Sequence, residues 1–208
     1  MIGKFITLEG GEGTGKSTQA PRIAEFLQES GIQTHLTREP GGNHSAEQIR
    51  NLLVRGKVDR WTHQTEALLM IAARAEHWYN TIKPKLEQGV WVICDRFWDS
   101  TRAYQGYGHG ISIDTIDMIH LEFMPGAMPD RTYIFDLDPE LGLERAIARE
   151  SDGETRFESM GLAFHHRVRQ AFQTIAKSDE KRYKLIKASQ EVDKVLQAIT
   201  ADLIEFIK

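Results

Sequence analysis

Apolar and polar positions along the chain fall into two alternating rhythms. Short β-branched and apolar runs occur at Lys4 to Glu9, Gln33 to Thr37, Val90 to Cys94, Arg131 to Asp136 and Tyr183 to Lys187. Each is the length of a single strand. Between them lie stretches whose apolar residues recur every three or four positions, the spacing of one helix face. Ala20, Ile23, Phe26 and Leu27 form one such stripe, and Val192, Val195, Leu196, Ile199 and Leu203 another. Strands alternating with helices predict βαβ units: an α/β fold with a five-stranded, mostly parallel sheet and helices on both faces. In such folds ligands bind beyond the carboxyl ends of the strands.

The loop after the first strand carries the most specific chemistry. Gly10-Gly11-Glu12-Gly13-Thr14-Gly15-Lys16-Ser17-Thr18 fits the phosphate-binding pattern G-x-x-x-x-G-K-[ST], with a strand before it and an amphipathic helix after it. Glycines let successive N–H groups turn inward on phosphate oxygens, and the helix adds the positive end of its dipole. Lys16 is placed to reach the β- and γ-phosphates, and the Ser17 hydroxyl to bind Mg²⁺. ATP and Mg²⁺ are the cofactors this implies.

The third strand ends in Asp95-Arg96. Aspartate there can hold the Mg²⁺ shell, whereas arginine is a poor base for water and a good fork for phosphate. That points to a phosphorylated acceptor. The guanine-reading string N-K-x-D and the switch string D-x-x-G of regulatory GTPases do not occur.

At this point the sequence resembles the bacterial thymidylate kinases. The resemblance rests on Glu12, Thr37-Arg38-Glu39-Pro40-Gly41-Gly42, Ala72-Ala73-Arg74, and Asp95-Arg96 followed by Ser100-Thr101 and Ala103-Tyr104-Gln105-Gly106. It continues through Asp136, the run from Pro139 to Ala146, and Arg156-Phe157-Glu158 ahead of Arg167-Val168-Arg169. The resemblance implies a P-loop kinase fold in a single domain over residues 1–208, with a short lid at about 149–160. The reaction it implies is transfer of the γ-phosphoryl of ATP to dTMP. A kinase of another deoxynucleoside monophosphate is the alternative, and a non-catalytic nucleotide switch a more distant one.

Residue roles implied by the resemblance follow the same positions. Glu12 would meet the acceptor sugar, and Arg38 and Arg96 would clamp the acceptor phosphate. Arg74 would bond the thymine edge, Tyr104 would disfavour a 2′-hydroxyl, and Ser100, Thr101 and Gln105 would complete the acceptor site. Gly13 stands where one type of family member carries a P-loop arginine. This chain therefore resembles the type that relies on lid arginines, here Arg149 and Arg156. The chain departs from the family at Met70, where a phenylalanine usually stacks on the base, and at Lys187-Ala188, where the adenine loop usually reads Asp-Ala. The Glu39-Pro40 bond is a candidate cis bond. A homodimer through helices flanking the sheet is also implied.

Composition adds mainly exclusions. A net charge of −4 argues against a dedicated nucleic-acid binder. No apolar run approaches the roughly 18 residues a membrane span needs, and the start is too short and polar for a signal peptide, so cytoplasm is the default. The lone Cys94 excludes an internal disulfide and reads as a buried strand residue. His165 and His166 read as a solvated pair.

Overall fold

The protein is described by a computed structural model covering residues 2–148 and 156–207. Five strands, β1 (Phe5–Gly10), β2 (Thr34–Arg38), β3 (Trp91–Asp95), β4 (Arg131–Asp136) and β5 (Tyr183–Lys187), form one sheet in the order β2-β3-β1-β4-β5. β1 pairs parallel with β3 and β4, β2 with β3, and β4 with β5. All strand carboxyl ends therefore share one edge. β4 and β5 match their predicted bounds. β1, β2 and β3 each begin and end one residue later than expected, with Gly10, Arg38 and Asp95 still in the parallel ladder opposite Phe135, Asp95 and Leu8.

The helices are α1 (Lys16–Glu29), α2 (His44–Val54), α3 (His63–His77), α4 (Lys83–Glu87), α5 (Trp98–Thr101), α6 (Ile113–Phe123), α7 (Pro139–Ile147), α8 (Leu162–Ala176) and α9 (Val192–Ile207). Wider π turns at Trp78–Ile82 and Arg102–Gly108 extend α3 and α5. Side-chain caps fix three starts. Asn43 accepts from the Ala46 N–H, Thr62 from the Thr65 N–H and Asp138 from the Glu140 N–H, each satisfying a donor the first turn would leave bare.

Alternation along β1 sends Ile6 and Leu8 to one face and Phe5 to the other. The first face packs with Ile23 and Leu27 of α1 and Ile199 and Leu203 of α9. These are the stripes read from the sequence. The opposite face is covered by Trp78, Ile82 and Phe97 around Phe5, and by Phe164, Val168 and Phe172 of α8. Cys94 is fully buried there. With both faces covered, the exposed chemistry is confined to the loops at the strand ends. Among the described residues no helix is long and apolar enough to cross a membrane.

Candidate active site

Two clefts meet at the P-loop. One, of about 500 Å³, is lined by residues 12–17 together with Arg38, Met70, Arg74, Asp95, Arg96, Ser100, Thr101, Tyr104 and Gln105. The other, of about 450 Å³, is lined by Gly13, Gly15, Thr18, Arg145, Ala188, Gln190 and Val192. Residues 13–15 belong to both, so ligands in the two clefts would face each other across the glycine loop. Gly10 and Gly11 form the loop's entry, and Gly11 lines a small hollow behind it.

Gly13 has a left-handed φ of 64°, and a Cβ there would lie 1.9 Å from the carbonyl oxygen of Gly142 on α7. The position therefore admits no side chain, arginine included. Lys16 is the first residue of α1. Its Nζ donates to the carbonyls of Gly10 (3.0 Å) and Gly11 (2.7 Å) and to Thr14 Oγ1 (3.2 Å). Burial and the nearby Arg96 lower the Lys16 ammonium to about 8, against the pull of Asp95 and Glu12.

Arg96 follows β3 with a φ of 68°, the one non-glycine residue with positive φ among those described. Such a conformation costs on the order of 1–3 kcal/mol unless its surroundings hold it. Here they do. Its guanidinium donates to the Gly10 carbonyl (2.9 Å), Ser100 Oγ (3.1 Å), Glu12 Oε1 (2.9 Å) and Tyr104 Oη (3.1 Å). The Tyr104 hydroxyl in turn donates to Glu12 Oε1 at 2.8 Å. Burial would raise the Glu12 carboxyl, but Arg96, Lys16 and the Tyr104 hydroxyl hold it down at about 2. Beneath this triangle lies Glu9, which accepts from the Phe97 N–H (2.8 Å) and Ser100 Oγ (2.6 Å) and so pins the turn on which Arg96 sits. Burial and the charge of Asp99 push Glu9 up to about 8.

Ser17 Oγ donates to Asp95 Oδ2 at 2.7 Å, while Asp95 Oδ1 is buried with no hydrogen-bond partner. A hydroxyl and a carboxylate with an unpartnered oxygen are hard ligands of the kind Mg²⁺ takes. A second group with metal-type ligands, Glu39, His77 and Cys94, is committed otherwise. Glu39 pairs with Arg74 at 2.7 Å and with His77 at 3.0 Å.

Arg74 lines the first cleft. Its Nε donates to Glu39 and its Nη2 to the Phe97 carbonyl at 2.9 Å, leaving buried Nη1 without a protein partner. Met70, one turn earlier on α3, is half-buried in the same cleft wall. Gln105 donates to Glu66 at 2.8 Å. Arg38 is half-exposed and paired with Glu47 at 3.1 Å, close to the mouth of the cleft.

The two lid arginines separate. Arg149 lies outside the described residues. Arg156, expected at the transferring phosphoryl, is instead buried away from the cleft lining. It pairs with Glu66 and donates to the carbonyls of Leu53 (3.2 Å), Lys57 (3.1 Å) and Val58 (2.8 Å). His165 also differs from its reading as a solvated group. It faces inward from α8 and is 4% exposed, whereas His166 is exposed. The Glu39-Pro40 bond is cis. Sequence reasoning did not assign Glu39, Arg50, Phe97 or Phe157 to the cleft they line. Arg50 sits one turn beyond the Glu47 carboxylate on α2, a spacing that could have suggested it.

A family model described as thymidylate kinase matches residues 8–199. The chain is 49% identical to a thymidylate kinase of Caulobacter vibrioides, over 95% of this chain and 94% of that one. It is 48% identical to one of Pseudomonas fluorescens, over 97% and 95%. A crystal structure of thymidylate kinase from Ehrlichia chaffeensis superposes with a TM-score of 0.78 at 36% identity, covering 98% of this chain and 99% of that chain. With a family model spanning most of its length and relatives close to half identical over nearly all of it, the chain belongs to the thymidylate kinase family.

Proposed function

We propose that this protein transfers the γ-phosphoryl group of ATP to dTMP, giving ADP and dTDP. The observation that carries this reading is that one cleft is lined by Lys16, Arg96 and Arg74, whose buried Nη1 has no protein partner. ATP would lay its base in the cleft beside Arg145 and Ala188 and its phosphates on the loop N–H groups. Lys16 would exchange its loop carbonyls for phosphate oxygens, moving positive charge to the transferring group. Ser17 and Asp95 would hold Mg²⁺, which supplies charge neutralisation on the phosphates.

The acceptor would enter with its phosphate toward Arg96 and Arg38. Its 3′-hydroxyl would meet Glu12, which is ionised and can only accept. The Tyr104 ring would close the space beside C2′. Arg74 Nη1 would donate to the O4 carbonyl of thymine, with Met70 against the ring. A general base is unnecessary, because the acceptor phosphate oxygen is already anionic near neutral pH. The residues' task is alignment, which can lower a barrier by about 7–11 kcal/mol in favourable cases.

A coupled assay for ADP release, run with dTMP, dUMP, dCMP, dGMP and no acceptor, tests the reading. The expected order is dTMP fastest. Release independent of any acceptor would mean a nucleotide switch, and preference for another monophosphate would reassign the base site.

The same reading includes a homodimer in the cytoplasm. Leu68 of α3 and Met118 and Phe123 of α6 are 57%, 63% and 63% exposed, and α3 packs against α6. Exposed apolar side chains on two helices that pack together suit a second copy of the chain.

A further inference from the structure

Glu39 joins two residues one helical turn apart on α3, Arg74 and His77. One carboxylate oxygen takes Arg74 Nε at 2.7 Å and the other takes His77 Nδ1–H at 3.0 Å. Since a carboxylate paired with arginine accepts only, Nδ1 carries the ring proton in this bond. His77 Nε2 lies 2.8 Å from Thr37 Oγ1 at the end of β2. The ring is fully buried. Backbone closes over it, because a Cβ on Gly42 would sit 2.3 Å from Nε2 and 2.7 Å from Thr37 Oγ1. Asn43 adds a second tie, donating to the Glu76 carbonyl at 2.8 Å.

We propose that His77 is a positioning residue for acceptor-base recognition, the middle link of a chain Thr37–His77–Glu39–Arg74 that aims the free Arg74 Nη1 into the cleft. This rests on the reading of Arg74 as the group that meets the base. The guanidinium is gripped on two edges, by Glu39 and by the Phe97 carbonyl, so its third edge has a fixed direction only while Glu39 is fixed. Glu39 has three rotatable bonds, and His77 is the group that holds its second oxygen. A rigidly aimed N–H favours a ring carbonyl at position 4 over an amino group, which presents hydrogens to hydrogens. The chain thereby bears on dTMP against dCMP selection, without touching either molecule. It also ties the aim of Arg74 to the edge of β2, whose next residue is Arg38 at the phosphate end.

A double-mutant cycle tests this. His77→Met, Thr37→Val and His77→Gln are each made in the natural background and with Arg74→Ala, with melting curves for all. For His77→Met we expect the KM for dTMP to rise about tenfold with kcat within about twofold and the KM for ATP unchanged. The ratio of kcat/KM for dTMP over dCMP should fall by a similar factor. His77→Gln, which keeps a donor for Glu39, should recover most of the loss, and Thr37→Val should show a weaker form of it in a stably folded protein. In the Arg74→Ala background the same changes should cost less than about twofold, the non-additivity of linked residues. Equal losses in both backgrounds, or losses shared by ATP and every acceptor, would overturn the relay and leave His77 a packing residue. If Arg74→Ala itself leaves dTMP KM and base preference unchanged, the base-site reading fails, and the relay with it.

Discussion

Arg156 offers the sharpest test of how the residues after the P-loop are used. Substitution with methionine keeps most of the aliphatic stem and removes the guanidinium. The Glu66 carboxylate, 1% exposed, would lose its cation and keep only Gln105 Nε2 at 2.8 Å and His109 Nε2 at 3.3 Å. The carbonyls of Leu53, Lys57 and Val58 would lose their donor as well. Breaking one side of a buried pair costs about 3–5 kcal/mol. In a chain of this size each kcal/mol shifts the melting midpoint by about 2–4 °C, so a fall on the order of 10 °C is expected. Adding Glu66→Gln removes the stranded charge and should restore about half of it. The sign with pH is fixed too. Burial raises the Glu66 carboxyl, but His109, Gln105 and Arg156 together hold it below its ordinary 4.5. A depressed acid stabilises the fold above its unfolded value and loses that contribution as pH falls through the folded one. The gap between variant and natural protein should therefore be full at pH 7 and narrow below about pH 4.5. Turnover measured well under the melting point should stay within about threefold. A variant that melts within about 2 °C of the natural protein yet loses about a thousandfold in kcat would show the guanidinium at the transferring phosphoryl, as an arginine finger acts, and refute this placement.

Lys16→Met should lower kcat by at least about a hundredfold, while raising the melting midpoint of the nucleotide-free protein at pH 7. Lys16 titrates near 8, below its ordinary 10.5, so its charged form opposes folding at neutral pH. That gain should fade as pH rises from about 8 to 10.5, and a neutral variant no more stable at pH 7 would contradict it. Met70→Phe should tighten dTMP binding about fivefold in calorimetric titration, a gain of ~1 kcal/mol from replacing a thioether contact by a stacked ring. Unimproved affinity with a lowered melting point would mean the ring overpacks the α3 wall. On the proposed α3–α6 dimer, the natural protein should sediment as a dimer and Phe123→Asp as a monomer, and an unchanged sedimentation coefficient would point away from that face.

The sequence was most readable where function is written locally. The P-loop, its flanking strand and helix, and the two apolar stripes on α1 and α9 depend on neighbours within a few residues. Met70 and Arg74 also share a cleft wall because they are one turn apart on a single helix. What escaped was long-range pairing. Arg156 and Glu66 are ninety residues apart, and nothing in the local pattern says that a polar, glycine-bearing segment ends on a buried ion pair. Adjacent helical residues face different ways, which speaks against His165 and His166 sharing a metal but does not place both in solvent, and α8 turns His165 inward. The left-handed backbone at Arg96 was invisible as well. It follows from Glu9, which holds Phe97 N–H and Ser100, and from an arginine side chain gripped by four partners.

That grip at Arg96 has a consequence for which mutations the protein can bear. Its partners come from β1, the P-loop, α5 and the turn that follows α5. A backbone held in an unfavourable region relaxes when its restraints loosen, and here relaxation would swing the guanidinium away from the cleft it lines. Changes at Glu9, Glu12, Ser100 or Tyr104 would all be felt through the same displaced atom group. Variation in this neighbourhood is thus pooled rather than independent: a second lesion adds little to the first, and recovery requires the turn itself to be rebuilt.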